Sequence, residues 1–553
     1  MLRQYIADLK SEFKGYNGGK LSKDLMAGLT VAAVALPLAL AFGVSSGADA
    51  AAGLITAIIA GLVISTLSGA SYQISGPTGA MAAVLGKIVY DYGMQGVFIA
   101  TFIAGAILLA CGFFKLGKLV GLIPAPVITG FTSGIAIIIA MGQIDNFFGV
   151  TSEGSSNIAK LMSYGHLGFS PNWYAVFFGM LVVVCMILWP KKWNAKVPSS
   201  LVGIILALVV SLVMKSDVTV VGQIPQTLFP SERLNLGAVS MEHVKGLISP
   251  AIAIAALGMI ESLLCGASAG RMKGEKLNAD RELVAQGIGN MLIPFFGGVP
   301  ATAAIARTSV AIKSGAETRL TGIFHAVGLL ASMFLLGGVM SKIPLSALAG
   351  VLMVTAWRMN EWESIRFIFK KKLKTAIAQF LITMIATVVF DLTMAILIGI
   401  VASLIFFVIR ISDIEINLSD IDKQRLEDSG IDVKYPHERT KVIYLTGPVF
   451  FTTTEKIKTE IEQLEDQLDY VIFSMRGVPL VDTTGTQCFE EVCESLQAQG
   501  TKVLFSGVQP KVMSLMERSG IVDQLGKNHF FWSVEHSLQA IDKKYAKKHV
   551  ALS

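Results

Sequence analysis

Charge is scarce in this chain. Asp, Glu, Lys and Arg make up 16% of its 553 residues, against about 25% in an ordinary soluble domain, and the shortage is confined to one part of the sequence. Residues 413–553, about a quarter of the chain, contain 16 Lys/Arg and 22 Asp/Glu and so hold nearly half of all its charged side chains. The much longer stretch 1–412 is correspondingly poor in charge and has a net charge of +12. That division excludes an aqueous enzyme, a disordered chain and a single uniform fold. A long membrane domain precedes a water-soluble one. Cysteine is also sparse. Cys111, Cys185, Cys265, Cys488 and Cys493 show neither metal-ligand spacing nor a disulfide framework, so no metal or cofactor is expected. A phosphate-cradling glycine loop is missing too, which argues against an ATP-driven pump. The N-terminal segment 1–24 is polar and mixed in charge, unlike a cleavable signal peptide.

What is abundant is apolar sequence. A bilayer core needs roughly 20 apolar residues per helix. Long candidates run over 25–46, 50–69, 95–114, 124–149, 172–190, 198–214, 246–270, 281–297, 320–341, 343–357, 374–390 and 392–410. Two shorter segments, 75–90 and 301–313, are interrupted by Gly and Pro. Fourteen segments place both termini on one side. With that side inside, the cytoplasmic loops collect Lys115, Lys118, Lys191, Lys192, Lys196, Arg271, Lys273, Lys276, Arg281, Lys313, Arg319, Arg366, Lys370, Lys371, Lys372 and Lys374. This is the expected positive-inside bias, so the basic excess orients a membrane protein and is no nucleic-acid footprint.

The short segments expose a repeat. Gly76-Pro77-Thr78-Gly79-Ala80 and Val299-Pro300-Ala301-Thr302-Ala303 align at their prolines, and the same offset sets the long apolar helix Leu25–Phe42 against Ile248–Cys265. Seven segments per half make the second copy enter from the opposite side, so the architecture is a 7+7 inverted repeat. Paired Gly/Pro-broken segments in inverted halves point to a transport site; the plainer alternative is close helix packing. A helix beginning inside the membrane has unsatisfied first-turn amides and a partial positive charge. Helices starting near Thr78 and Thr302 are therefore expected to face each other and bind an anion, with Gly79, Ala80, Ala303 and Ala304 small enough to admit it. Arg307, one turn further on, offers a fork for oxyanions, or alternatively an interfacial anchor. Glu261, far from either end of its helix, reads as a proton carrier or a sodium ligand. Cys265 one turn on is a poor hard-ion ligand and tilts the choice to the proton; the alternative is a fixed Glu261–Arg307 ion pair. Gln286 and Asn290 share a helical face as interhelical glue, and Asp391 reads as a solvated helix end.

Beyond Arg410 the pattern changes to strands (Val442–Leu445, Val471–Met475, Val503–Phe505) alternating with helices (Thr454–Leu468, Thr484–Gln497, Pro510–Leu525), the signature of a soluble α/β layer. Asp482 reads as a helix cap, with Thr484 beside it. The expected division is a cytoplasmic segment 1–24, a transport domain 25–411, a linker 412–435 and a soluble domain 436–553.

Together, Ala35-Leu36-Pro37-Leu38-Ala39-Leu40-Ala41-Phe42, Ile74-Ser75-Gly76-Pro77-Thr78-Gly79, Gln286-Gly287-Ile288-Gly289-Asn290 and Phe296-Gly297-Gly298 resemble the SulP (sulfate permease) anion-transporter family, and the soluble end resembles its STAS domain. The resemblance implies a core domain moving against a gate domain, usually in a homodimer, with the site between segments three and ten. It brings Leu38, Phe42, Thr78, Gly79, Ala304, Ile305, Ala306 and Arg307 to the substrate, and Glu261 with Cys265 to the coupling ion. Halide-exchanging animal members carry Gln at Leu38. Cyanobacterial bicarbonate carriers carry Asp and Thr at Glu261 and Cys265 and lack the Arg at Arg307. The run Ala301-Thr302-Ala303-Ala304-Ile305-Ala306-Arg307 is similar to bacterial members linked to proton-coupled C4-dicarboxylate uptake. The expectation is a multi-pass protein of the bacterial inner membrane, with both termini cytoplasmic. It would move a small inorganic or carboxylate anion with a proton. Sodium-coupled bicarbonate symport, or a passive channel or exchanger with a structural Glu261, stand as alternatives.

Overall fold

A computed structural model describes residues 2–154, 156–190, 193, 197–235, 237, 241–390, 392–412, 414–421, 437–464 and 467–550. Lys191, Lys192, Lys196, Asp391 and most of the linker assigned to 412–435 lie outside the described residues. The chain divides into two units, Met1–Ser403 and Leu404–Ser553.

The first unit is helical: α1 (Leu2–Glu12), α2 (Gly18–Ser45), α3 (Ala50–Leu67), strand β1 (Ser75–Gly76), α4 (Gly79–Phe113), α5 (Ala125–Gly142), α6 (Ile144–Phe148), α7 (Asn157–Leu167), α8 (Trp173–Leu188), α9 (Ser199–Met214), α10 (Met241–Lys273), α11 (Ala279–Leu292), strand β2 (Thr302–Ala303), α12 (Ile305–Lys313), α13 (Leu320–Met340), α14 (Leu345–Met359), α15 (Trp362–Lys370), α16 (Lys374–Val389) and α17 (Leu392–Ile411). Gly93, at φ 65° and ψ −171°, breaks α4 into two rods. A side chain would strain that left-handed position. With this break the fourteen segments are all present. The two strand-broken ones are the third and tenth. Among the described residues, seven helices are long and apolar enough to cross a membrane, and four more are shorter apolar helices. Inverted repeats require corresponding strands to run in opposite directions, and β1 pairs antiparallel with β2.

Helices α2, α3, α4, α10, α11 and α13 pack on one another around this pair, while α5 packs on α16 and α8 on α14. Hydrocarbon supplies no hydrophobic drive between spans, so close backbone approach matters. A Cβ on Gly105 would lie 2.8 Å from the carbonyl of Gly287, and one on Gly287 would lie 2.8 Å from that of Gly105. That crossing locks α4 to α11.

The polar N-terminal segment folds back as α1. Glu12 accepts from the backbone N–H, Nε and Nη2 of Arg319 at 2.7–2.9 Å, Asp8 pairs with Arg281, and the Tyr5 ring lies 5.5 Å from both guanidinium carbons. Asp24 is fully buried. Its carboxylate accepts from Tyr16, from the amides of Glu317 and Thr318, and from the hydroxyls of Thr318 and Thr321, pinning the turn that leads into α13.

In the second unit, β3 (Glu415–Asp420), β4 (Thr440–Thr446), β5 (Tyr470–Gly477), β6 (Lys502–Ser506) and β7 (Phe530–Phe531) form one sheet in that order, parallel except for β3. Side chains alternate between faces. Ile443, Val471, Phe473, Val503 and Phe505 pack with helices α18 (Thr454–Glu462), α19 (Thr483–Ala498), α20 (Pro510–Arg518) and α21 (Ile521–Leu525). Val442, Ile472 and Leu504 pack with Leu538 and Ile541 of α22 (Val534–Val550). Two helix expectations need correction. The helix expected over Thr454–Leu468 stops at Glu462, and Leu468 leads into β5. The one expected over Pro510–Leu525 splits at Gly520, whose φ of 89° no helix accommodates. Asp482 caps α19 by accepting from the Gly485 amide at 2.7 Å.

The Arg319–Glu12 pair is nearly sealed from solvent, so removing one partner strands the other's charge. We expect Arg319→Met to destabilise the protein by about 3–5 kcal/mol, and Glu12→Leu with Arg319→Met to recover most of that loss. The midpoint of thermal unfolding in detergent reads both; an unchanged midpoint in the single variant would deny the pair a structural role.

Candidate functional site

Two stretches of extended backbone meet inside the membrane unit. Pro77 follows β1 and Pro300 precedes β2, and a residue before proline is biased away from helix. Ser75 pairs with Ala303 and Gly76 with Thr302. Such backbone must find hydrogen bonds within the protein, and neighbouring helices supply them. Asn290 accepts from the Ala301 amide at 2.8 Å and donates to its carbonyl at 2.9 Å. Thr56 of α3 holds Val299 at both its amide and its carbonyl. Ser262 of α10 accepts from the Ala303 amide at 3.2 Å and lies 3.1 Å from the Thr302 hydroxyl. Gln286 donates to Ser75 Oγ and to Glu282, and Glu282 also accepts from Ser68 and the Gly69 amide.

Each strand leads into a helix N-terminus. On the first, Thr78 is the cap: its hydroxyl accepts from the Met81 amide and donates to Glu261 Oε2 at 2.9 Å. A Cβ on Gly79 would lie 2.4 Å from Ile139 Cδ1 of α5 and 3.1 Å from the Phe42 ring, so those two side chains cover the helix end. Leu38 lies buried one turn before Phe42. On the second, the helix begins at Ile305 rather than next to Thr302, because Thr302 and Ala303 are held in the strand pair. Its cap residue Ala304 makes no side-chain hydrogen bond, leaving the first-turn amides of α12 without a side-chain partner. Ile305 and Ala306 are exposed.

Arg307 is 1% exposed. Its Nη2 donates to the Pro77 carbonyl at 2.8 Å, Nη1 is buried without a partner, and a Cβ on Gly76 would sit 2.5 Å from Nη1. Arg307 thus braces one broken segment against the other, and it forms no ion pair with Glu261. Cys265 is fully buried. Its thiol meets the Thr308 hydroxyl at 3.4 Å, and that hydroxyl also accepts from the Ile74 amide. Thr78, Gly79, Phe42 and Glu261 therefore converge, while Arg307 and Cys265 stand in the layer behind. Sequence reading overlooked Thr56, Ser262, Ser75 and Glu282; for Thr56 and Ser262 a hydroxyl inside an apolar helix was the available signal, whereas Ser75 lies in β1 and Glu282 in the charged first turn of α11. Beginning one turn above Gly79, an 840 Å³ cavity opens between α4 and α5, lined by Ala83, Lys87, Ile138, Lys160, Ser249 and Pro250 among others.

The signature of the sulfate permease family matches residues 21–386, and that of the STAS domain matches 433–537. The chain belongs to the sulfate permease family. YvdB of Bacillus subtilis, named provisionally as a sulfate transporter, is 35% identical over 94% of this chain and 97% of its own length. Bicarbonate transporter BicA of Picosynechococcus sp. is 28% identical over 93% and 94%. The solved transmembrane domain of a cyanobacterial BicA superposes with a TM-score of 0.63 at 30% identity, covering 70% of this chain and 98% of that one. The murine solute carrier 26 family member A9 anion transporter, in its inward-facing state, shares the fold at a TM-score of 0.82 and 16% identity, covering 96% and 93%. This sulfate permease family member is thus a multi-pass membrane protein and an anion transporter, not an enzyme.

Gly76 admits no side chain because Arg307 occupies the space. Gly76→Ala is expected to push the guanidinium off Pro77 and reduce anion uptake into proteoliposomes at least about tenfold, a barrier change of roughly 1.4 kcal/mol. Gly86→Ala, whose Cβ meets nothing within 4 Å, should leave uptake unchanged. Equal uptake by both variants would remove Arg307 from any positioning role.

Proposed function

We propose that the protein is a proton-coupled anion symporter working by alternating access, with the anion held between the N-termini of α4 and α12. The observation that carries this reading is the Thr78–Glu261 hydrogen bond. One hydroxyl serves both the helix end that attracts an anion and the carboxylate beside it. An anion bound to the α4 amides would stand roughly 5–6 Å from that carboxylate, where two like charges repel by about 3 kcal/mol at an effective dielectric near 20. Protonation of Glu261 removes the repulsion and frees the Thr78 hydroxyl to turn toward the anion. Proton and anion then bind each other's complex more tightly than either binds alone, and this mutual dependence underlies symport.

Leu38, Phe42, Gly79, Ala304, Ile305 and Ala306 shape the pocket on this reading, and Arg307 adds positive potential from behind. The substrate is an anion of the C4-dicarboxylate, sulfate or bicarbonate class. The assembly is a homodimer of the bacterial cytoplasmic membrane with both termini inside. Sodium is the second reading for the coupling ion, because Thr78 and Glu261 offer it two oxygens, a class of ligand that hard cations accept.

Uptake of labelled fumarate, sulfate and bicarbonate under imposed gradients tests the proposal. A proton gradient should drive accumulation by the wild type, and Glu261→Gln should retain downhill flux while losing accumulation. Accumulation by Glu261→Gln equal to wild type would overturn the coupling role, and a requirement for a sodium gradient would favour the second reading.

Alternating access also requires the cavity above Gly79 to close during the cycle. Gly86→Cys, at a lining position with open space around it, should react with an impermeant maleimide above the level of the parent protein. Saturating substrate should slow that reaction. A rate indifferent to substrate would mean the cavity is static.

A further inference from the structure

Several basic side chains near helix ends elsewhere in the unit are taken up in ion pairs: Lys23 with Glu317, Lys273 with Glu275, Arg281 with Asp8 and Arg319 with Glu12. The connection between α14 and α16 is different. Arg366, Lys370, Lys371, Lys372 and Lys374 crowd into nine residues, and among the described residues none of the five makes an ion pair. The two acids nearby do not cancel them. Glu361 accepts from the Thr129 hydroxyl at 3.0 Å, and Glu363 sits in the first turn of α15, where a helix N-terminus already favours a negative charge.

The same connection exposes apolar surface. Trp357 is 65% exposed, Phe367 57% and Phe369 43%, and Leu373 is exposed as well. Trp357 and Trp362 stack with ring centroids 4.5 Å apart, and the Trp362 indole donates to the Trp357 carbonyl. Of the nine residues of α15 only Ile368 is buried. A short helix that buries one side chain, shows aromatic rings and carries unpaired cations has the composition of a segment lying in a membrane interface. Its flanks agree with that depth, since α14 and α16 are apolar spans that end at this connection. The phosphates of anionic lipids lie at that level, and clustered cations beside a span attract them.

We propose that α15 and residues 371–374 form a binding site for anionic phospholipid headgroups. Arg366 and Lys370, four residues apart, share one helical face, and the chain then turns through Lys372 at φ 50°, so that the following ammonium groups continue the cationic surface past the helix end. Because α14 packs on α8 and α16 on α5, a headgroup held here fixes the depth of these helices in the bilayer while the strand-centred bundle is free to shift. The site is independent of which anion is carried or which ion is coupled.

The full-length protein, purified from mixed phosphatidylglycerol and phosphatidylcholine, is compared by native mass spectrometry with Arg366→Gln/Lys370→Gln/Lys371→Gln/Lys372→Gln. The wild type should retain phosphatidylglycerol in preference to phosphatidylcholine. The variant should lose roughly tenfold of that preference while keeping its thermal midpoint and its uptake rate in phosphatidylcholine vesicles. Excess inorganic phosphate should not displace the lipid; displacement would show a free-phosphate site instead. Undiminished retention by the variant would overturn the proposal, as would a shift from dimer to monomer with lipid unchanged, which would assign the surface to a second copy of the chain. Should the variant fail to fold, the wild type alone decides: raising the salt concentration before analysis must strip the phosphatidylglycerol, and retention unaffected by salt would sink the idea.

Discussion

Extended backbone cannot persist in hydrocarbon unless every peptide group is paired, and the rest of the membrane unit is arranged around meeting that demand for Ser75–Gly76 and Thr302–Ala303. The strands satisfy each other in part. Thr56, Ser262 and Asn290 bond further peptide groups of these segments from α3, α10 and α11, and Gln286 holds the Ser75 hydroxyl. Each is a buried polar group that would be costly alone, and each gains a partner when the strands are in place. The polar network and the broken helices therefore stand or fall together. This ties α3, α10, α11 and the two half-helices into one packed unit, and Ile139 of α5 meets Gly79 at its boundary.

Electrostatics follow from the same arrangement. Arg307 sits behind the strands rather than in front of them, bound to the Pro77 carbonyl. Its positive charge reaches the helix ends without a contact that would fix the geometry of a ligand. Glu261 accepts from the Thr78 hydroxyl instead. The two opposite charges thus make separate hydrogen bonds, Arg307 to the Pro77 carbonyl and Glu261 to Thr78. A direct ion pair would have neutralised both and left the helix ends as the only polar feature.

Architecture was largely legible because it rests on run lengths and charge placement. The inverted repeat was visible in the two motifs around Pro77 and Pro300, since proline and glycine punctuate backbone regardless of tertiary context. That Thr78 and Glu261 belong to one place was legible only through the family resemblance, since neither residue's own sequence neighbourhood names the other as its partner. Side-chain direction was not. Arg307 turns toward Pro77 and Cys265 toward Thr308, choices made by packing between segments remote from each other in sequence. The N-terminal helix escaped for another reason. Segment 1–24 is polar in composition, and only the partners of Asp8, Glu12 and Asp24 reveal that its acids face inward.

Relatives along nearly the whole chain bear sulfate and bicarbonate in their names, and the proposed site on backbone amides is compatible with both. Amides at a helix end donate to any oxyanion, and the helix dipole rewards negative charge without specifying geometry. Discrimination must then come from what surrounds the amides. In this chain the surroundings are Phe42 and Ile139 over Gly79, with Leu38 buried one turn along α2. These side chains set volume and dryness, and they are apolar. An apolar rim selects by size and by the cost of dehydrating the anion, so a substrate with an apolar stretch between its charges loses less on entry than a compact, strongly hydrated one.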